Sequence, residues 1–200
     1  MAGNSKYLKS PESMIKGLRR GNKQAFEELF LAFFEPLCGY ALGITSDRQA
    51  SECAVQETFL RLWERCETIT DDMNIKAWLF KSVRNRCLDL LRHSAMRDKY
   101  QQDIITDMKL EESLNTYEER YADDEALIAK VNREVQRLPD PIRETYLLHR
   151  QDGLTYSEIS EVLGLPQKTI ESRISKALKL LRERLDRGNL YSVKTKKISG

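Results

Sequence analysis

Between Gly153 and Leu181 the chain carries a start signal, a stop signal and a second start signal for helix in close succession. That punctuation confines it to two helices joined by a tight turn. Thr155-x-x-Glu158 reads as a capping box: the Thr155 hydroxyl accepts from the Glu158 amide while the Glu158 carboxylate reaches back. Leu154 before the cap and Ile159 after it are placed to form a hydrophobic staple, and such features together stabilise a helix start by about 1 kcal/mol. Gly164 is suited to the left-handed stop, with Leu165 packed beneath it. Pro166 suits the first position of the following helix, where its missing N–H costs nothing. On that second helix Ile170, Ile174, Ala177 and Leu181 share an inward face. At about 100° per residue, Lys168, Ser172, Ser175, Lys176 and Lys179 point the other way, with Glu171 and Arg173 at the flanks. A short polar face with Lys and Ser early in the helix suits phosphates and base edges together, as in a helix-turn-helix entering a DNA major groove.

The formal net charge of +2 over 200 residues hides how charge is arranged. Lys76 to Arg97 holds six basic residues against the single acid Asp89, and Lys168 to Arg187 seven against three. Asp98 to Lys130 between them holds ten acids and four bases. Two basic islands flank an acidic segment, and phosphate attraction follows the local pattern rather than the sum. Cys38, Cys53, Cys66 and Cys87 form no C-x-x-C pair, and His93 and His149 are the two histidines. We therefore expect reduced thiols and neither zinc nor any other cofactor. No run approaches the roughly 18 apolar residues of a membrane span, and Met1 to Ser10 lacks the apolar core of a signal peptide. The expected compartment is the cytoplasm, without membrane insertion.

The rest of the chain also reads as helix, so the expected fold class is all-α: two small helical domains joined by a flexible acidic linker. Ala25, Phe26, Leu29, Phe30, Phe33, Phe34 and Leu37 recur at spacings of three and four, and Pro36 is expected to end or bend that helix. A second helix starts near Ser46 or Asp47 and carries Ala54, Val55, Phe59, Leu62 and Trp63. The loop Glu67–Asn74 follows, then a helix with Trp78, Leu79, Val83, Leu88 and Leu91 and basic residues between. Residues 98–122 are polar and weakly periodic, a linker with transient helix around Met108 to Tyr117. Helices resume near Asp123 and stop before Pro139-Asp140-Pro141; Ile142 to Arg150 is the next, and Gln151-Asp152-Gly153 turns the chain. From Gly188 the tail is expected to fray, its lysines adding weak phosphate attraction.

These residues carry a family resemblance. Arg137-Leu138-Pro139, then Gly153 to Ile159, Glu171 to Ala177 and Leu181-Arg182-Glu183-Arg184-Leu185 together resemble domain 4 of bacterial RNA polymerase sigma factors. Upstream, Val55-Gln56-Glu57-Thr58-Phe59-Leu60-Arg61-Leu62-Trp63 resembles the polymerase-binding helix of sigma domain 2. Ala77-Trp78-Leu79-Phe80 with Arg84-Asn85 and Leu88-Asp89-Leu90-Leu91-Arg92 is similar to the helix that reads the −10 element. The match spans about residues 13–187 in the expected order and leaves nothing over for additional domains, which makes the chain similar to the extracytoplasmic-function (ECF) group.

The resemblance implies sigma domain 2 over 13–97, a linker over 98–122, domain 4 over 123–187 and a basic tail over 188–200. It implies no enzymatic activity. Its implied partners are core RNA polymerase, through the β′ clamp helices and β flap, promoter DNA and an anti-sigma factor. Glu52, Gln56, Glu57 and Arg61 would face the clamp, with Cys53 standing where many relatives carry an acid. Asn85, Asp89 and the Glu67–Asn74 loop would contact the flipped −10 base and its neighbours, while Lys81, Arg84, Arg86 and Arg92 would neutralise phosphate. Trp78 and Phe80 read as core at their helical spacing. Lys168, Glu171, Ser172, Arg173, Ser175 and Lys176 would read the −35 duplex, and Glu171 could accept from cytosine N4. The competing reading is a stand-alone helix-turn-helix regulator, which leaves the first helical domain unexplained. An independent enzyme lacks a glycine-rich phosphate loop, a metal cluster and a nucleophile–base pair.

Overall fold

The structure, a computed structural model, describes residues 10–101 and 122–196, and all regular elements among these are helical. The described chain separates into two compact units, one centred on the helices within 10–101 and the other on those within 122–196. Most of the expected linker, including Met108 to Tyr117, lies outside the described residues.

In the first unit, α1 (Pro11–Arg19) starts at Ser10, whose side chain accepts from the Ser13 amide, with proline in its first turn. This helix was not among the expected elements; its large buried residues are Met14, Ile15 and Leu18. Gly21 ends it at φ +63°, a conformation that suits glycine. Asn22 then caps α2 (Lys23–Thr45) by accepting from Gln24 and Ala25 at 2.9 and 3.1 Å. Of the two expectations for Pro36, an end or a bend, the end is overturned, since α2 continues through it to Thr45. Pro36 is solvent-exposed, so the carbonyl its missing N–H leaves over is not forced into an apolar core.

Ser46, at φ 55°, closes α2, and Asp47 rather than Ser46 caps α3 (Arg48–Glu64), its carboxylate accepting from Ala50 at 2.9 Å. A single 3-10 turn (Cys66–Thr68) leads to α4 (Ile75–Gln101), where Asn74 accepts from Ala77 at 3.0 Å. α2, α3 and α4 pack on one another around Leu29, Leu37, Phe59, Leu79, Phe80 and Val83. Phe26 and Phe30 meet Phe59 with ring centroids 5.9 and 4.9 Å apart.

α2 corrects a second expectation: by length and composition it is long and apolar enough to cross a membrane. Ala25, Leu29, Leu37, Tyr40 and Ala41 of that helix are buried, and it packs along α3 and α4, the behaviour of a core helix.

In the second unit α5 (Ala122–Gln136) and α6 (Asp140–Arg150) flank the Pro-Asp-Pro segment. The prolines do not hold helix off until Ile142. Pro141 sits in the first turn of α6, where no donor is needed. Arg143 fastens the corner, donating to the Gln136 carbonyl at 3.0 Å and the Asp140 carboxylate at 2.6 Å. α7 (Tyr156–Leu163) and α8 (Gln167–Lys196) complete the unit. Its core joins Val135, Leu138 and Ile142 to Ala177 and Leu181. The backbone of α8 stays helical to Lys196, past the fraying expected at Gly188.

Candidate nucleic-acid interfaces

The turn between α7 and α8 forms as its residues dictate. Thr155 N–H donates to Glu158 Oε2 at 2.7 Å, and Glu158 N–H donates to Thr155 Oγ1 at 3.2 Å, closing the capping box. Leu154 and Ile159 are both buried. Gly164 takes φ +65°, and Leu165 N–H returns to the Ser160 carbonyl at 3.1 Å, a Schellman closure. Pro166 stands one position earlier than expected, at the cap: its carbonyl accepts from Ile170 while α8 begins at Gln167. His149 braces the turn from α6, its Nδ1–H donating to the Leu154 carbonyl at 3.0 Å, with its ring 5.0 Å from Tyr156.

This geometry rotates α8 so that Ile170, Ile174, Ala177 and Leu181 are buried. Lys168, Glu171, Ser172, Ser175 and Lys176 are exposed together on the opposite face. Arg173 behaves differently from the rest of that set. It is half-buried, and its Nη1 donates back to the Pro141 carbonyl at 3.3 Å and to Thr145 Oγ1 at 3.4 Å. In this structure Arg173 fixes α8 against α6.

In the first unit the expected −10 residues lie along one side of α4. Lys81, Asn85, Asp89 and Arg92 are exposed, and Arg84 is half-buried. Asp89 and Arg92 form an exposed i,i+3 pair at 3.0 Å, worth at most about 1 kcal/mol. Phe80 is core as expected, 1% exposed. Trp78 is half-buried and lines a cleft of about 190 Å³ between α3 and α4 with Glu57, Arg61, Asn85, Arg86 and Asp89.

That cleft brings together two sets of residues that the sequence assigned to different surfaces. Arg86 Nη2 donates to Glu57 Oε1 at 2.9 Å, and Nε closes the ion pair on Oε2, although its N–H is not aligned for a hydrogen bond. Glu57 and Arg86, 34% and 28% exposed, therefore engage each other across α3 and α4. Elsewhere on α3, Glu52 pairs with Arg48 at 2.8 Å while Gln56 and Arg61 stand exposed. Cys53 donates its thiol to Glu57 Oε1 at 3.7 Å.

Two separate matches decide the family. A model described as Sigma-70 region 2 matches residues 29–97, and one described as Sigma-70, region 4 matches 128–181, so together they span more than half of the chain. The chain belongs to the sigma-70 family. Its curated relatives place it in the ECF group. It is 24% identical over 181 residues to the RNA polymerase sigma-H factor of Pseudomonas aeruginosa, covering 88% of this chain and 92% of that one. It is 29% identical over 167 residues to the ECF RNA polymerase sigma factor RpoE of Cereibacter sphaeroides, covering 82% and 88%. The fold matches the sigma factor RpoE of Bartonella quintana, solved with the anti-sigma factor NepR, with a TM-score of 0.61 at 24% identity, over 80% of this chain and 96% of that one.

Two residues of this sigma factor escaped the sequence reading. Leu60 is 56% exposed on α3, one turn beyond Gln56 and next to Arg61, an apolar centre within a polar patch. The apolar stripe of α3 leaves Leu60 on the far side of the helix, and nothing else in the sequence marks it as a contact residue. Arg19 of α1 reaches the loop before α4, and no local pattern signals a contact fifty positions away.

Proposed function

We propose that this ECF sigma factor binds core RNA polymerase through α3 and directs initiation at promoters whose −35 duplex is read by α8. Its α4 face and the loop before it take the unpaired −10 strand. The observation that carries this reading is the combination of region 2 and region 4 in one chain. It is supported by the exposed Lys168–Lys176 face of α8 and the exposed polar side of α4. The boundaries we assign are 13–97 for domain 2, 98–122 for the linker and 123–187 for domain 4, with 188–200 as a basic tail.

Glu52, Gln56 and Arg61 face the clamp helices, and Lys81, Asn85, Asp89 and Arg92 face the −10 strand. Lys168, Glu171, Ser172, Ser175 and Lys176 meet the −35 duplex. Arg173 fixes the pitch at which α8 enters the groove. The protein acts in the cytoplasm and has no catalytic activity of its own, the polymerase supplying the chemistry. An anti-sigma factor, the partner found with the Bartonella relative, would hold it inactive.

A duplex promoter binding assay with and without core enzyme separates this reading from a stand-alone regulator. A sigma factor gives specific, heparin-resistant complexes only when core is present. Tight sequence-specific binding by the protein alone, unchanged by core, would favour the regulator.

A further inference from the structure

The loop between α3 and α4 is tied by short-range hydrogen bonds of its own, and its middle is joined to the helices from α1. At one end Thr68 and Ile69 donate to the Arg65 and Cys66 carbonyls at 2.9 and 3.3 Å. At the other, Met73 N–H donates to the Thr70 carbonyl at 3.2 Å, and Asn74 caps α4. Between them Ile69 is buried while Thr70, Asp71 and Asp72 are exposed. The Asp72 carboxyl is held below its ordinary range, chiefly by the Thr70 hydroxyl, so the exposed tip is internally tied. What links this middle to the helices is Arg19, from the last turn of α1. Its Nε donates to the Ile69 carbonyl at 2.8 Å, and its two terminal nitrogens straddle the Asp71 carboxylate at 2.9 and 3.4 Å. α1 is itself seated by buried Met14, Ile15 and Leu18, so the guanidinium projects from a fixed base.

We infer that Arg19 is a positioning residue for strand capture, holding the 66–74 loop in the shape that receives the unpaired −10 strand. This rests on the reading of that loop given above. Two physical consequences follow from the contacts. The anchor takes the Ile69 carbonyl and the Asp71 carboxylate, so Arg19 leaves the other exposed side chains of the loop to the bases. A loop ordered in advance does not lose that conformational freedom when the strand binds. The loop also carries Glu67, Asp71 and Asp72 and no basic residue over 67–74. Arg19 neutralises Asp71, reducing the repulsion a polyanionic strand would otherwise meet.

The test uses holoenzyme reconstituted with the full chain. Its probe is a forked promoter DNA whose non-template −10 strand is unpaired, taken from a start site this protein itself directs. Arg19→Ala should weaken binding of that fork about five- to tenfold, and Arg19→Lys, which keeps one donor and the charge, about twofold. Arg19→Ala should also flatten base preference at one −10 position and raise hydrogen exchange at amides 66–74. Affinity for core and the unfolding midpoint of the first unit should stay as in the parent.

Replacing 70–73 by Gly and Ser residues serves as the control for the loop itself. If that replacement abolishes fork binding while Arg19→Ala leaves affinity and base preference intact, the loop captures the strand without Arg19 and the inference is wrong. If the replacement changes nothing, the loop reading fails and the inference falls with it. If core affinity and unfolding midpoint drop in step with fork binding in both Arg19 variants, Arg19 holds the fold in general and the positioning role is refuted.

Discussion

The Glu57–Arg86 pair joins α3 to α4 and can be weighed by a double-mutant cycle. Opposite charges about 4 Å apart attract by about 4 kcal/mol at an effective dielectric of 20, before desolvation and side-chain ordering are subtracted. Exposed pairs net about 0.2–1 kcal/mol, whereas removing one partner of a fully buried pair costs about 3–5 kcal/mol. With about a third of each side chain exposed and both carboxylate oxygens engaged, this pair lies between those limits. We expect a coupling energy of about 1.5 kcal/mol between Glu57→Ala and Arg86→Ala, and single variants costing about 1–2 kcal/mol each.

Urea unfolding followed by tryptophan fluorescence suits this cycle, because the two tryptophans, Trp63 and Trp78, both lie in the first unit. A coupling below about 0.3 kcal/mol, the usual scatter for independent sites, would refute the pairing argument. The same variants separate two roles for Arg86. A phosphate contact would lower the salt slope of fork binding by about one when removed. A residue already committed to Glu57 leaves the slope unchanged.

Three further outcomes follow. Leu60→Ala should weaken core binding by about 1–2 kcal/mol, read by fluorescence titration, without lowering stability, because this exposed leucine is buried only by a partner; an unchanged affinity would remove it from the interface. Cys87 is fully buried, and burial raises its thiol from 9.0 to about 11. The folded state therefore keeps its proton where the unfolded chain loses it, so stability should fall by roughly 2–3 kcal/mol from pH 9 to pH 11. Cys87→Ala should abolish that alkaline component, and an identical pH profile would contradict it. Glu171→Ala should relax a cytosine preference on one strand of the −35 site by about 1–3 kcal/mol in a randomised-site selection, and unchanged preference would rule out base reading by that carboxylate.

What could be read from the sequence was local. The capping box at Thr155 and Glu158, the left-handed Gly164 and the buried stripe from Ile170 to Leu181 all lie within a few residues of one another. Each depends on spacing along one helix. The exposed face of α8 followed from the same arithmetic, whereas the α4 residues came from the family resemblance. The features that the sequence did not show depend on residues distant in the chain or on burial. Pro36 was expected to end or bend a helix, and at its exposed position α2 passes through it. α1 was not singled out, although Met14, Ile15 and Leu18 fall at helical spacing. The Arg19 and Glu57–Arg86 contacts bridge separate helices and leave no periodic trace. Arg173 shares its turn of helix with the exposed set, and only the neighbouring α6 turns it inward.

Transcription in vitro tests the central claim most directly, with purified bacterial core enzyme, this protein and a promoter library, followed by sequencing of RNA 5′ ends. The account predicts defined starts that appear only with the protein and share −35 and −10 motifs, and their loss when Gln56 and Arg61 are replaced by Ala. With a matched core enzyme, an unchanged pattern of starts, alongside specific binding of duplex DNA by the protein alone, would contradict it.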